Sequence, residues 1–252
     1  MPHYGKTQIT LCGDNEDLGK QAAAAVAGRL RQLLAGKDIL RVVFAAGESQ
    51  SSFHHALAKE TDIPGRRVVC FNVDDFWDPR LPREFTCGYQ TERELYSRVS
   101  PREYYLVDFK APDPEAEARR FGALVMAAPI DLLCQGIGAS GHLALNEPGD
   151  TDFADPRPAR VVSLVEQSKR QLREDPNFKD LGYVSDQGIT LTIPAILAAR
   201  QIFTMVPLAL KKPILTRLLE TTTPTADLPA SILGTVESRL FVDQDSCPDV
   251  LK

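Results

Sequence analysis

Short apolar, β-branched runs alternate along the chain with longer stretches whose apolar residues recur at helical spacing, the pattern of an α/β fold. "TQITLC" (7–12) reads as a first strand, and residues 16–37 follow as an Ala-rich helix with Gly36 near its end. "RVVFAAG" (41–47) is a second strand that runs into a small-residue turn opening a helix over 48–60. "RRVVCFNV" (66–73) has the continuous apolar character of a strand buried on both faces, and it stops at Asp74 and Asp75. Residues 115–128 read as a helix and "PIDLLCQGIG" (129–138) as the central strand. The alternation then resumes with "ARVVSLV", a charged stretch to Asp186, "GITLTI", "PAILAAR", "QIFTMVPL", "KKPILTRLLE" and "SRLFVDQ". Residues 76–96, with Pro79, Pro82 and Gly88 among Phe76, Trp77, Phe85 and Tyr89, fit neither period and are expected to form an irregular functional loop or lid. No linker, repeat or low-complexity segment divides the elements. The expectation is one α/β domain over 1–252, a mostly parallel twisted sheet with helices on both faces.

Composition adds exclusions. A hydrophobic content of 43% and a charged content of 25% are ordinary for a soluble domain, and the net charge of -5 supplies no basic footprint for nucleic acid. No apolar run approaches the roughly 18 residues of a membrane span, and the first residues lack the apolar stretch of a secretory signal. The cytoplasm is the expected compartment. Cys12, Cys70, Cys87, Cys134 and Cys247 are odd in number, scattered and mostly set in strand-like runs, so they read as reduced thiols that fill core or surface positions.

Three polar clusters fall where expected strands end, the edge at which open α/β sheets bind ligands. The first, Gly47-Glu48-Ser49-Gln50-Ser51, is either a plain helix cap or a site for one phosphate ester, because free N–H groups and the helix dipole both favour an anion there. It has neither the Lys of a P-loop nor GxGxxG spacing, which argues against a nucleotide. In the second, Asp74 and Asp75 point to opposite sides of an extended chain, so one of them can face a pocket, desolvated enough to act as a general base. The third is "GIGASGHLALNEPG" (136–149). Its glycines allow a sharp turn, Pro148 holds Glu147 extended, and a loop folding back would bring that carboxylate to His142, fixing the imidazole tautomer. His54 and His55, inside the helix after the first turn, read as packed or solvated side chains.

These segments resemble the glucosamine-6-phosphate deaminase and 6-phosphogluconolactonase superfamily nearly end to end. "FNVDDF" is similar to the family's F-N-x-D-E-Y segment, "GIGASGHLALNEPG" to its G-x-G-x-D-G-H-x-A-F-N-E-P signature, and "KKPILTRLLE" to its Lys-bearing helix. The Asn-Glu-Pro continuation after the histidine resembles the deaminase branch. The resemblance implies an amino-sugar-phosphate deaminase/isomerase that uses no metal or organic cofactor, with a phosphorylated sugar as its substrate. It implies that Asp74 shuttles a proton between C2 and C1, that His142 and Glu147 open the sugar ring, and that Lys211 and the turn bearing Gly47, Ser49, Gln50 and Ser51 hold the phosphate. Asp75, Gly138, Ser140 and Gly141 fall among the implied substrate-binding positions.

Two departures stand out. Glu48 and Gln50 replace a glycine and the proline of the family's Gly-Gly-Thr-Pro loop, and Ser140 stands where the deaminase pattern has aspartate. The family's phosphate-contacting arginine has no clean counterpart, with Arg170 and Arg173 only near its place. Ser140 implies a different sugar, weaker ring opening or a repurposed site. A 6-phosphogluconolactonase-like hydrolase, with His142 activating water, is the alternative within the fold, and a sugar-phosphate-binding regulator without catalysis is a third reading. Relatives include monomers and hexamers, so the resemblance leaves a homo-oligomer open.

Overall fold

Helix α1 (Asn15–Leu34) begins where the sequence supplies a cap: the Asp14 carboxylate accepts from the Asp17 N–H at 2.8 Å, and Glu16 and Asp17 lie in the first turn, favourable to the helix dipole. Its buried stripe of Leu18, Ala22, Ala23, Val26, Ala27 and Leu30 packs on one face of the main sheet together with α2 (Glu48–Leu57). The two helices touch closely at Gly19, where a Cβ would lie 2.6 Å from the Ser52 backbone carbon. The computed structural model describes residues 2–60, 62–174, 178 and 181–251.

The main sheet runs in the order β1 (His3–Tyr4), β2 (Thr7–Leu11), β11 (Ser238–Val242), β10 (Ile202–Val206), β7 (Leu132–Gln135), β3 (Leu40–Phe44), β4 (Val68–Asn72), β6 (Glu103–Tyr105). Every pairing from β2 to β6 is parallel and only β1 is antiparallel. Alternate residues of each strand bury against opposite layers. Ile9, Val43, Leu133 and Leu240 meet α5 (Pro114–Met126), α7 (Ile193–Leu197) and α8 (Lys212–Glu220), whereas Val42, Phe44, Phe203 and Phe241 meet α1 and α2. From β3 the chain moves outward to β4 and β6, then returns to the other flank of β3 as β7 and moves on to β10 and β11. This reversal opens a crevice at the carboxyl ends of β3 and β7.

A second, antiparallel sheet was not foreseen: β5 (Asp74–Trp77), β9 (Gln187–Leu191) and β8 (Ala159–Ser163). Val73 is its junction with the main sheet, donating its N–H to Phe44 O at 2.9 Å and accepting from Leu191 N at 2.9 Å. Asp74 and Asp75 therefore open a new strand rather than merely ending an old one.

The expectation of an irregular loop over 76–96 is corrected as well. After β5 and a single-turn helix at Arg83–Phe85 come α3 (Cys87–Thr91), a π-helical turn (Glu92–Tyr96) and α4 (Ser97–Val99). The last three run on without a break from Cys87 to Val99, and the π-helical turn in the middle shifts the register so that no single helical period passes through them, while the prolines mark only the approach. Thr86 caps α3 by accepting from Tyr89 N at 3.1 Å, and Leu95 and Tyr96 seat the segment in the core. All five cysteines are free, four of them buried. Part of the charged stretch before Asp186, residues 175–177, 179 and 180, lies outside the described residues.

Candidate active site

The turn after β3 is built by Gly47, whose φ of +105° is open to glycine and strained for other residues. Of the expected phosphate groups here, two are turned elsewhere. Gln50 is buried, its amide nitrogen donating to Ser49 Oγ at 3.0 Å and Met205 O at 3.3 Å, and Ser51 Oγ donates to Glu94 Oε2 at 3.0 Å. The backbone N–H groups of Glu48 and Ser49, at the start of a ten-residue helix with no side-chain cap, have no partner within the helix. Glu48 is exposed.

The two aspartates part company as their opposite orientation in a strand requires. Asp75 is a structural anchor: its carboxylate accepts from the N–H groups of Phe76 at 2.8 Å, Cys87 at 2.8 Å and Gly88 at 2.7 Å, tying β5 to the start of α3. With its lone pairs so used and 1% exposure, it does not serve the substrate-binding role expected of it. The carboxylate of Asp74 makes no hydrogen bond or ion pair among the described residues, and the residue keeps a 9% opening to solvent. Burial first, and the neighbouring Asp75 charge second, raise its pKa to about 7.

The loop after β7 folds back sharply. Gly138 N donates to His142 O at 3.0 Å and Gly141 N to Gly138 O at 2.9 Å, with Gly141 at φ +90°. His142 and Glu147, five residues apart, meet with Nδ1 2.9 Å from Oε1. Ser140 Oγ donates to Glu147 Oε2 at 2.6 Å and lies 2.8 Å from His142 Nδ1. Since the Ser140 proton is committed to Glu147, its oxygen receives from Nδ1–H, and Nε2 becomes the free ring nitrogen. Burial pushes the Glu147 carboxyl up, but the hydrogen bond and charge of His142, then Ser140 and Ser168, hold it at about 2. Asn146 pins the loop by donating to Leu143 O at 2.9 Å and Leu191 O at 2.8 Å. Leu145 N donates to Thr190 Oγ1 at 3.1 Å, and Thr190 pairs with Asp74 across β9 and β5, so the carboxylate of Asp74 stands on the face along which this loop runs.

Lys211 closes a short turn after β10, just ahead of α8, where Leu208 at φ +81° redirects the chain. The ammonium forms no ion pair among the described residues, and burial lowers its pKa to about 8, with Glu48 working in the opposite direction. Glu48 thus relates the turn at Gly47 to Lys211. Gly136 completes the junction, since a Cβ there would lie 2.9 Å from Gln50 Nε2, 3.3 Å from Ser49 Oγ and 3.5 Å from Met205 O. The ends of β3, β7 and β10 meet at this point. No three His, Cys, Asp or Glu side chains converge as a metal site would need among the described residues.

Sequence reasoning missed Ser168, which reaches from α6 (Glu166–Glu174) to donate to Glu147 Oε1, and Gln90, whose Oε1 accepts from Gly47 N at 3.1 Å. Neither lies near its partner in sequence, and no local pattern marks them. Arg173 pairs with Glu166 along α6 at 2.6 Å rather than standing free for a ligand. His54 is fully buried, 3.5 Å from Glu94, and His55 is exposed.

A doubly wound α/β protein with an imidazole–carboxylate pair, an unpartnered carboxylate and an unpaired ammonium at its switch point is the class so defined. A family model described as glucosamine-6-phosphate isomerases/6-phosphogluconolactonase matches residues 13–242, and the chain belongs to that family. A glucosamine-6-phosphate deaminase of a Geobacillus species is 34% identical over 241 residues, 92% of this chain and 91% of the relative. A glucosamine-6-phosphate deaminase of Staphylococcus epidermidis is 29% identical over 94% of this chain and 98% of its own. Among solved structures, a monomeric glucosamine-6-phosphate deaminase superposes with a TM-score of 0.83 at 22% identity, covering 95% of this chain and 98% of that one. A 6-phosphogluconolactonase from Thermotoga maritima superposes at 0.74 and 20% identity, over 94% and 99%. The fold is common to both. No helix among the described residues is long and apolar enough to cross a membrane.

Proposed function

We propose that the chain catalyses the deaminating isomerisation of a hexosamine 6-phosphate, glucosamine 6-phosphate in the first instance, to a ketose phosphate and ammonia. The observation that carries this reading is Asp74: a buried carboxylate, free of partners, whose pKa of about 7 suits a group that must both take and return a proton near neutrality. Lactone hydrolysis needs a base for water and no second group to carry a proton between carbons. The names of the relatives, at 29% to 34% identity over most of the chain, support the same side.

Lys211 and the N–H groups of Glu48 and Ser49 hold the phosphate. His142, its Nδ1 held by Glu147 and Ser140, uses Nε2 to move the proton between the ring oxygen and the C1 hydroxyl as the ring opens. Asp74 then takes the C2 proton while the ammonium group of the substrate gives one to the C1 carbonyl oxygen, leaving a neutral enolamine, and Asp74 returns its proton to C1. The resulting C2 imine adds water and expels ammonia, leaving the C2 ketone. Every proton removed is returned, and no oxidant or reductant is consumed.

The test is a panel of hexosamine 6-phosphates and 6-phosphogluconolactone assayed for both ammonia and acid. Ammonia and ketose phosphate in equal amounts are expected from an amino sugar, with no acid from the lactone. Acid without ammonia would move the chain to the hydrolase reading, and binding without either product to the regulator reading.

A further inference from the structure

Beneath the turn at Gly47 lies a polar network that the reaction just described does not use. Glu94, 6% exposed, is its centre: Oε2 accepts from Ser51 Oγ at 3.0 Å and faces His54 Nδ1 at 3.5 Å, and Oε1 accepts from Gln90 Nε2 at 3.3 Å and Arg93 at 3.2 Å. Burial alone would raise its pKa, but His54 first, then Ser51 and Arg93, bring it to about 2, so Glu94 is a fixed anion. Gln90 is clamped by its nitrogen, which also approaches Ser51 Oγ at 3.4 Å. A clamped carboxamide has its oxygen fixed as well, and that oxygen receives the Gly47 N–H at 3.1 Å.

The direction of each bond matters. Ser51 has one hydroxyl proton and gives it to Glu94, so Ser51 cannot donate to a ligand while this network stands. Gly47 N–H is likewise spent on Gln90. What remains of the turn is the N–H pair of Glu48 and Ser49, the Ser49 hydroxyl, and the unpaired Lys211 beyond them. Below, Gln50 is 1% exposed and its Oε1 finds no partner among the described residues, a further polar atom held at the base of the turn. The network thus selects which donors face outward and holds Gly47 in its φ of +105°.

We infer that Gln90 is a positioning residue for the phosphate of the substrate: by accepting from Gly47 N–H and being held by Glu94, it aims the start of α2 so that a phosphate monoester is received by Glu48 N–H, Ser49 and Lys211. This rests on the sugar-phosphate reading and adds to it a residue from a different element, α3, that acts through the turn rather than on the substrate. Gln90 spans 43 residues of sequence to do so. Specificity for the phosphorylated end of the substrate is therefore set in the 76–96 segment as much as in the turn itself.

The test uses inorganic phosphate as a competitive probe alongside steady-state kinetics on glucosamine 6-phosphate. Gln90→Leu is expected to raise KM about tenfold with kcat changed less than twofold, and to weaken inhibition by phosphate in parallel. Gln90→Glu keeps an acceptor for Gly47 but sets a second carboxylate against Glu94. Its phosphate affinity relative to wild type, measured at each pH, is expected to recover as pH falls and the new carboxyl becomes protonated, a response that a merely structural residue would not give. Unchanged KM and phosphate affinity in Gln90→Leu, or a loss confined to kcat, would overturn the assignment, and so would a pH-independent defect in Gln90→Glu. Lys211→Ala separates the two levels. If it weakens phosphate while both Gln90 variants do not, only the Gln90 role fails, whereas indifference of all three removes the phosphate site itself.

Discussion

One hydroxyl is shared by an imidazole and a carboxylate that already touch: Ser140 donates to Glu147 at 2.6 Å and its oxygen lies 2.8 Å from His142 Nδ1, beside the direct 2.9 Å contact of His142 with Glu147. The serine is therefore no neutral filler. Ser140→Ala removes one of the donors to Glu147 and one of two acceptors for Nδ1–H, and is expected to lower kcat by about tenfold or more while leaving KM near its value, as the loss of a hydrogen bond to a charged carboxylate, roughly 1.5 kcal/mol or more, predicts. Steady-state kinetics of the variant checks this, and an unchanged kcat would mean that the hydroxyl takes no part in holding the ring.

Two displaced groups that face the substrate set the pH dependence of kcat/KM, while Asp75, which burial also raises to about 7 against its three N–H donors, is turned to the backbone. Asp74, raised to about 7, must be ionised to accept the C2 proton, so the rate climbs as pH rises through that region. Lys211, lowered to about 8, must be charged to hold phosphate, so the rate falls as pH passes it. A narrow bell between the two is expected in the free enzyme. Lys211→Arg keeps the cation but does not lose its proton in this range, so the alkaline limb should move upward or vanish while the acidic limb stays. A profile in which both limbs shift together would separate Lys211 from the alkaline limb.

Asp74 carries a cost in stability that its neutral isostere should relieve. Its folded pKa of about 7 lies above the 3.8 of the free side chain, so its favourable contribution is complete below about 4 and is lost as pH rises toward 7. Asp74→Asn stays neutral throughout. The variant is expected to be inactive yet more stable than wild type at pH 8, by on the order of 2 kcal/mol, with the advantage shrinking toward pH 4.5. Urea unfolding at the two pH values measures this, and an advantage independent of pH would point to packing rather than charge.

What could be read from the chain alone divides along physical lines. The parallel sheet was legible because its strands are buried on both faces and read as continuous apolar runs, as in "RRVVCFNV", and the strand-end clusters followed from where those runs stop. His142 and Glu147 could be read as a pair because glycine and proline punctuate the loop around them, and Asp74 stood out because the apolar run before it stops there. The segment after Asp75 was not, because the helical stretch from Cys87 to Val99 changes register at its π turn and owes its start to a carboxylate twelve residues upstream. Likewise Ser51 and Gln50 looked like phosphate ligands as residues of a turn, and only the buried Glu94 and Met205 show where they are directed. Side-chain orientation set by distant elements leaves no local trace in sequence.

The two glycines flanking Ser140 are predicted to fail in different ways. Gly138 has ordinary backbone angles, but a Cβ on it would sit 2.0 Å from His142 Nε2, so Gly138→Ala must push the imidazole aside. The ring ends a side chain with 20% exposure and can shift at the expense of its contacts to Glu147 and Ser140, so a smaller loss of stability is expected than at Gly141. Activity is another matter, because a shift of about 1 Å in a reacting nitrogen costs on the order of a hundredfold in rate. Gly141 combines φ of +90° with a Cβ position 2.3 Å from Leu228 Cδ1 in the core, so Gly141→Ala strains backbone and packing together. That variant is expected to lose roughly 1–3 kcal/mol of stability by denaturant titration, with activity falling as a consequence of unfolding. Measuring both variants for kcat and for urea midpoint distinguishes a ring displaced within an intact fold from a fold that has loosened, and equal losses of stability in the two would show that the imidazole is not what Gly138 makes room for.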